Sequence, residues 1–208
     1  KTKLALALEQ FKATEDKAVT IVISNFRMFV DDLNLSTEAY CNLDKVHFNL
    51  ENILYQWEEV FSIPIHCGLF DVSLFQSFKF PEHIKAKEDW VMWVSLFKTD
   101  CKVIFIDQPL AFYRRNPEGM TMKKDMFPDF IKAYEYFRDL LTAEQFHAFS
   151  VHLITKYYSS DKEFKSRLDK TKKSNTYQTG LLIKKVLKTL GILKWSSDLF
   201  PILLKFKK

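Results

Sequence analysis

With 208 residues, 47% of them hydrophobic, the chain is long enough to bury the core of one large globular domain. Only four glycines against 15% aromatic residues disfavour an all-β fold, and three scattered cysteines without a CxxC pair disfavour a zinc site or disulfide scaffold and favour a reduced, cytosolic compartment. The net charge of +5 is unevenly placed, because residues 162–208 hold 13 Lys and Arg against 3 Asp and Glu, whereas residues 1–161 hold 18 against 23.

The first half of the chain alternates short helical and extended patterns. Residues 1–13 have the apolar spacing of the end of a helix with no cap before it, which predicts that the chain is a fragment of a longer protein. The β-branched run at 18–24 lacks alternation, as in a strand that is buried on both faces, and 25–30 continues it. The remaining predictions are a turn at 31–34, an irregular stretch at 34–47, a helix at 49–61, an extended piece at 63–70 and a brief helix at 71–75.

The second half is dominated by helical periodicity. Residues 87–97 predict a helix whose buried face carries Trp90, Trp93, Val94 and Phe97. A strand is predicted at 102–107, followed by an extended piece at 109–115 that turns back. From residue 124 onward the chain is predicted to be wholly helical, with a polar linker at 170–175 and a last amphipathic helix at 179–193.

An acidic pair, Glu88-Asp89, opens the aromatic helix at 87–97. Carboxylates in a first helical turn are favoured by the helix dipole and by free backbone N–H groups, so Asp89 is predicted to be ionised at neutral pH. An ionised carboxylate that a rigid helix holds in place can act as a general base. The alternative is that the pair only completes a helix start, because acidic first turns are common.

Five motifs follow one another along residues 1–122. They are Ile21 to Phe29, Phe78-x-Phe80-x-Glu82, Glu88-Asp89-Trp90-x-x-Trp93, Val103-x-x-Ile106-x-x-Pro109-Leu110-x-x-Tyr113-Arg114, and Met120-Thr121. In this order and spacing they resemble the second half of a family 2 glycosyltransferase of the GT-A fold. The C-terminal helices resemble those of bacterial members that build surface polysaccharides.

The resemblance implies an α/β fold, with a partial GT-A-like mixed sheet and flanking helices followed by a C-terminal helical lobe. The acceptor-side half of the catalytic domain would span 1–122, the helical lobe 123–170 and a basic amphipathic tail 171–208. The family's first half, which binds the nucleotide sugar and holds Mg²⁺ or Mn²⁺ through an Asp-x-Asp motif, would precede Lys1. Asp31-Asp32 follow the wrong strand to replace that motif. We therefore expect the metal ligands to lie mostly outside this chain, and the chain to be inactive alone.

The resemblance also assigns roles to the residues of the acidic motif. Asp89 would be the base of an inverting transfer from a nucleotide-sugar donor to a saccharide or lipid-linked acceptor, and Glu88 would orient the acceptor or support the loop. Trp90 and Trp93 are candidates for stacking on a sugar ring, and Trp90 is predicted to bind substrate in this way, although tryptophans at this helical spacing are more often core residues.

Tyr113, Arg114 and Arg115 lie at a predicted strand end, before a loop that closes over the donor in the family. A guanidinium group there can bind a diphosphate oxygen. The alternative is that Tyr113 packs in the core while one arginine pairs with an acidic neighbour. Many relatives carry a metal-binding His where Asn116 stands, so metal binding at Asn116 is in doubt.

Residues 176–208 combine apolar side chains with lysines, a composition that suits a helix lying in the interface of an anionic membrane. The alternative is that the apolar face packs on the body of the protein. No run of about 18 apolar residues predicts a membrane span. The expected location is cytoplasmic, peripheral on the inner face of the plasma membrane. A nucleic-acid partner is not expected, since no recognised binding fold accompanies the charge.

Two hypotheses about function follow. The first is the C-terminal part of a glycosyltransferase of surface polysaccharide synthesis, with Asp89 as its base. The second is a non-catalytic helical module that binds a partner or a membrane, in which the acidic pair is structural.

Overall fold

The computed structural model describes residues 2–14, 20–99, 101–116, 119 and 125–192. This part of the chain is mixed α/β, with six α-helices and three β-strands. The helices are α1 (Lys3–Ala13), α2 (Leu50–Tyr55), α3 (Glu88–Phe97), α4 (Phe127–Leu140), α5 (Ala143–Lys173) and α6 (Asn175–Thr189). The strands are β1 (Thr20–Phe29), β2 (Gly68–Phe70) and β3 (Lys102–Arg114). The Met120-Thr121 motif and the tail from residue 193 lie outside the described residues.

The chain divides into two compact units, Lys1–Ser150 and Val151–Lys208. The first unit contains the sheet and the helices that cover it, including α4. It therefore extends past the predicted boundary at residue 122, because apolar side chains of α4 are buried within this unit. The second unit contains the end of α5 and all of α6.

Strand β1 lies at the centre of the described sheet, in the order β2-β1-β3. It pairs with β2 antiparallel and with β3 parallel, and the parallel register runs from Thr20 opposite Lys102 to Phe29 opposite Arg114. All residues from Ile21 to Phe26 are buried, as expected for a strand whose two faces are both covered. The described part of the predicted strand is thus confirmed.

The sequence predicted that the chain turns back after residue 107, but strand β3 does not do so. It continues to Arg114 and stays parallel to β1, with register shifts around Asn25, which lies opposite Pro109. A bulge absorbs extra residues of one strand without ending the pairing, and it tolerates a proline that cannot donate a hydrogen bond. The predicted strand end at residue 107 is therefore wrong, and the extended piece at 109–115 is mostly a continuation of β3.

Helix α2 is shorter than the predicted helix at 49–61. The Asn49 side chain caps its start by accepting a hydrogen bond from the Asn52 N–H at 2.8 Å, but the helix ends at Tyr55. The chain then reverses in a tight turn, in which the Glu58 N–H donates to the Phe61 carbonyl at 2.7 Å. This reversal brings Ile63 back to α3, where its carbonyl accepts a hydrogen bond from Trp93.

Helix α3 is the most buried helix of the first unit. Six of its ten residues are buried, including Val91 and Met92, so the buried surface is wider than the predicted single face. Two indole N–H groups anchor the helix, since Trp90 donates to the Ile53 carbonyl at 2.9 Å and Trp93 to the Ile63 carbonyl at 2.8 Å.

The C-terminal helices largely follow the predicted periodicity. Helix α5 runs through Lys173, so most of the predicted linker at 170–175 is helical, and the break falls at Ser174. The Ser174 hydroxyl caps α6 by accepting from the Tyr177 N–H, which starts this helix earlier than the predicted residue 179. Within the described ranges, none of the helices combines the length and apolar character needed to cross a membrane.

Candidate active site

A cleft of about 650 Å³ lies in the first unit, where β1 and β3 end and α3 begins. The carboxyl ends of parallel strands are a common position for ligand sites in α/β folds, because the connections that leave them form a crevice. Six parts of the chain line the cleft, namely Met28, Tyr40, the segment with Glu58, Ser62 and Pro64, the segment from Ala86 to Asp89, the segment with Tyr113, Arg115 and Asn116, and Met126.

Asp89 is a partly buried carboxylate of this cleft. Its Oδ1 accepts a hydrogen bond from the Trp90 N–H at 2.7 Å. The pKa of Asp89 is raised from 3.8 to about 6, chiefly by burial and to a smaller extent by the negative charges of Glu88 and Glu58, against the lowering effect of the Trp90 N–H. A position in the first turn of a helix predicts that the ionised carboxylate is stabilised, but desolvation has the larger effect on the pKa of Asp89. Asp89 is still mostly ionised at neutral pH, which suits a general base.

Lys87 and Glu58 form an ion pair at the wall of the same cleft. Lys87 is only 9% exposed, and its positive charge lowers the pKa of Asp89. Both residues have positive φ, 82° for Lys87 and 62° for Glu58, and they are the only non-glycine residues of the described chain that do. Sequence reasoning missed this pair, because a lysine and a glutamate carry no local signal for a left-handed backbone.

Aromatic rings form another part of the wall. The ring centroids of Tyr113 and Tyr40 are 5.9 Å apart, and His66 lies 5.7 Å from Tyr113. The Tyr40 hydroxyl is hydrogen-bonded to the Ser62 hydroxyl at 2.6 Å. Burial raises the pKa of Tyr40, so its hydroxyl stays protonated and can serve as a donor. Tyr113 thus packs against other aromatic rings and also lines the cleft. The two positions that the sequence offered for Tyr113 are therefore compatible.

Asn25 fixes the loop that carries Tyr40. Its side-chain oxygen accepts from the Leu43 N–H at 3.1 Å, and its Nδ2 donates to the Asp107 carboxylate at 2.6 Å. Asn25 is itself 7% exposed and lies at the bulge between β1 and β3. At the bulge, the Asn25 side chain thus joins the loop at Leu43 to Asp107 of β3.

The two adjacent arginines point to different surroundings. Arg115 lines the cleft together with Tyr113, as expected for residues two apart on an extended chain. Arg114 does not line it, and its side chain lies 3.9 Å from Asp31 and donates to the Val30 carbonyl at 3.4 Å. Arg114 is thus the arginine that pairs with an acidic neighbour, and the substrate-binding prediction is retained for Arg115.

Trp90 is a core residue and does not line the cleft. It is 4% exposed, and its ring packs edge-on against Phe137 and Phe149 at centroid distances of 4.8 and 6.0 Å. Its indole N–H donates a hydrogen bond to the Ile53 carbonyl. The prediction that Trp90 stacks on a sugar is therefore corrected, since neither ring face is open to a ligand.

No family model matches this chain, and neither a curated protein nor a solved structure is found to be similar to it. The geometry of the cleft is therefore the basis for assigning its chemistry.

The cleft contains no metal site of its own in the part of the chain that the structure describes. Within those residues, no three His, Cys, Asp or Glu side chains are grouped so that they could hold a metal ion. Asn116 lines the cleft with Glu58, Glu88 and Asp89, but these three carboxylates are not grouped in that way. The described residues do not fit the Mg²⁺ or Mn²⁺ that the resemblance implies, and we assign no step to a metal.

Proposed function

We propose that the chain supplies the acceptor-side half of an inverting glycosyltransferase in surface polysaccharide synthesis. The transfer is from a nucleotide-sugar donor to a hydroxyl group of a saccharide or lipid-linked acceptor. The observation that carries this proposal is the carboxylate of Asp89, held at a helix start inside a cleft with a pKa of about 6. The order of the five sequence motifs supports the choice of reaction.

Asp89 has the properties that the reaction requires of its base. The acceptor oxygen attacks the anomeric carbon, the bond from that carbon to the phosphate oxygen breaks, and the nucleoside diphosphate leaves with the electron pair. The proton of the acceptor hydroxyl goes to an Asp89 carboxylate oxygen. A carboxylate with a pKa near 6 is ionised at neutral pH and is more basic than an ordinary aspartate, which favours this transfer.

The remaining lining residues suit a sugar and a diphosphate. Tyr113 and Tyr40 offer an aromatic edge and a hydroxyl group to the acceptor. Arg115 is exposed at the rim, where its guanidinium group can pair with the oxygens of a diphosphate. Glu88 lies next to the base and can accept a hydrogen bond from a neighbouring hydroxyl of the acceptor.

The test uses the full-length protein with a panel of UDP-, GDP- and dTDP-sugars and a lipid and polysaccharide extract as the source of acceptor. Released nucleoside diphosphate and labelled product are both measured. Asp89→Asn keeps the shape of the side chain and removes its basicity, so we expect the transfer rate to fall by about 10²–10⁴-fold. Unchanged far-UV circular dichroism would show that the fold is intact.

The matched control is Asp71→Asn. Asp71 is exposed and caps a short 3-10 turn outside the cleft, and asparagine caps such a turn equally well. This variant is expected to transfer sugar at the wild-type rate. Transfer at the wild-type rate by Asp89→Asn, or no transfer from any donor by the wild type, would contradict the proposal.

A further inference from the structure

Helix α6 exposes an apolar face in the second unit. Leu182 and Leu190 are 63% and 64% exposed and Val186 is 49% exposed, although a globular domain normally buries side chains of this kind. They are four residues apart, so they lie on one side of the helix. No residue of α6 is buried in the described structure. Leu182 and Val186 lie in α6 and Leu190 is the residue that caps its end, so the apolar face of α6, formed by these three residues, is open over about two turns.

Lysines accompany this face without any acidic residue. Lys184, Lys185 and Lys188 lie in α6, and the whole stretch 174–192 contains no Asp or Glu. Lys184 and Lys188 are four residues apart on the side opposite the apolar face. The helix thus has an apolar face and an opposite side on which every charged residue is a lysine.

Helix α5 shows the ordinary arrangement by contrast. Two of its basic residues are paired with acidic ones one turn away, with Lys165 at 2.6 Å from Asp161 and Arg167 at 2.5 Å from Glu163. Such pairs neutralise a solvated helix and favour its exposure to water. Helix α6 has no acidic residue with which to form pairs of this kind, so its charge is available to an external anion.

We propose that α6 lies in the interface of an anionic phospholipid bilayer, with Leu182, Val186 and Leu190 between the acyl chains and the lysines at the headgroups. An exposed apolar face opposed by lysines is the arrangement with which interfacial helices bind such surfaces. Membrane binding by α6 does not depend on glycosyl transfer, because none of its residues lines the cleft of Asp89.

Charge favours a bilayer over a second copy of the chain as the occupant of this face. Two copies that pair through the apolar face would leave the lysines of both helices on their outer sides, with no acidic residue in either helix to neutralise them. Anionic headgroups, in contrast, neutralise the lysines while the acyl region takes up the apolar side chains.

The test is flotation of the full 208-residue chain with vesicles of phosphatidylcholine alone and with vesicles that also contain phosphatidylglycerol. We expect binding to the anionic vesicles only. We also expect the bound fraction to fall when salt rises from about 0.1 to about 0.5 M, since the interaction is screened. No binding to either vesicle, or equal binding to both, would overturn the proposal.

Charge variants locate the binding in α6. Lys184→Gln/Lys188→Gln is expected to weaken binding about twentyfold, at about fivefold for each lysine near an anionic surface. The matched control is Lys45→Gln/Lys79→Gln, which removes two exposed lysines of the first unit and is expected to bind like the wild type. Equal binding by both double variants would mean that α6 is not the contact.

Apolar variants separate insertion from simple charge attraction. Leu182→Ser/Leu190→Ser is expected to weaken vesicle binding by at least about tenfold. The control Leu35→Ser/Val72→Ser removes two side chains that are 75% and 80% exposed in the first unit, and is expected to leave binding unchanged. All four positions are exposed, so circular dichroism should be unchanged in every variant.

Sedimentation equilibrium distinguishes a bilayer from a second copy. The wild type is expected to be a monomer without vesicles. A dimer that Leu182→Ser/Leu190→Ser dissociates, together with vesicle binding that this variant does not alter, would show that the apolar face pairs with a second copy and would overturn the proposal.

Discussion

The side chains of Lys87 and Glu58 form an ion pair, and the backbone of each of these residues has a positive φ. A non-glycine residue in this region costs about 1–3 kcal/mol, so it persists only where the surroundings determine it. Here the ion pair joins the turn after α2 to the start of α3, so each residue helps to hold the backbone conformation of the other. The pair also contributes to the electrostatic surroundings of Asp89, which follows two residues after Lys87.

The first prediction is that the two partners shift the pKa of Asp89 in opposite directions. Lys87→Met removes a positive charge and should raise this pKa above about 6, whereas Glu58→Gln removes a negative charge and should lower it. Titration of the Asp89 carboxyl carbon by NMR measures both shifts. Glu51→Gln, which changes an exposed charge on α2, should leave the value unchanged. A shift of the same sign in both variants would contradict the assignment.

The second prediction concerns stability against pH. Folding raises the pKa of Asp89 from 3.8 to about 6, so between these values the folded protein binds more protons than the unfolded chain. The contribution of Asp89 to the free energy of unfolding therefore falls as pH rises from about 4 to about 6, by up to about 3 kcal/mol. Asp89→Asn cannot ionise, so we expect it to lose this dependence and to be more stable than the wild type at pH 7 by about 1–3 kcal/mol.

Urea unfolding at a series of pH values checks this sign. Asp71→Asn serves as the opposite case, because hydrogen bonds from the Ser73 hydroxyl and N–H lower the pKa of Asp71, and its contribution is lost as pH falls. Removing that charge should therefore not stabilise the protein at pH 7. Asp89→Asn with lower stability than the wild type at pH 7 would mean that the carboxylate is not desolvated as the structure indicates.

The third prediction rests on the proposed function and uses two neighbouring residues. Arg115 lines the cleft and Arg114 lies beside Asp31, so only Arg115→Ala should impair transfer by the full-length protein. Loss of a charge-assisted hydrogen bond to a diphosphate should reduce kcat/KM about 10–100-fold. Arg114→Ala should keep at least about half of the wild-type value, since it loses only an exposed ion pair. The reverse order of the two effects would place the donor elsewhere.

Hydrophobic patterning in the sequence was sufficient to predict β1 and α3, because a continuous β-branched run and an aromatic helical repeat each fit one secondary structure. The acidic first turn of α3 and the family resemblance, not this patterning, indicated Asp89 as the candidate base. Hydrophobic patterning was insufficient where tertiary contacts determine the local structure. The end of α2 at Tyr55 depends on returning Ile63 to Trp93, and the Lys87–Glu58 pair joins residues that no local pattern relates.

The different surroundings of the Arg114 and Arg115 side chains show a second limit of prediction from the sequence. Which of two adjacent residues faces the cleft depends on the register of β3, and a bulge near Pro109 shifts that register. A single-residue shift exchanges the two faces of a strand. The sequence thus indicated two adjacent arginines without indicating that Arg115 is the one that lines the cleft.

The fourth prediction compares two buried tryptophans that differ in hydrogen bonding. The Trp90 N–H donates to the Ile53 carbonyl, whereas the Trp57 N–H is buried with no partner in the described structure. Trp90→Phe leaves a buried carbonyl unpaired, while Trp57→Phe removes an unsatisfied donor. We expect Trp90→Phe to cost about 1–2 kcal/mol more than Trp57→Phe in urea unfolding. Equal costs would mean that the hydrogen bond from Trp90 adds nothing to the anchoring of α3.

The last prediction concerns Asp129, which joins α4 to the segment before Asp89. Its side chain is 1% exposed, and its Oδ1 accepts from the Lys85 N–H at 3.1 Å and lies 3.4 Å from Lys132 Nζ. Asp129→Ala leaves the Lys85 N–H without this acceptor, so we expect a loss of about 2 kcal/mol in the free energy of unfolding.

Asp139 on the same helix is the control for Asp129, because its side chain is 76% exposed and pairs only with its neighbour Arg138 among the described ion pairs. Asp139→Ala should change stability by less than about 0.5 kcal/mol. If Asp129 also positions the base, Asp129→Ala should broaden or shift the NMR resonance of the Asp89 carboxyl carbon while Asp139→Ala leaves it in place. Loss of stability without any change at Asp89 would limit Asp129 to a structural role, since the segment from Lys85 to Asp89 would then hold its position without it.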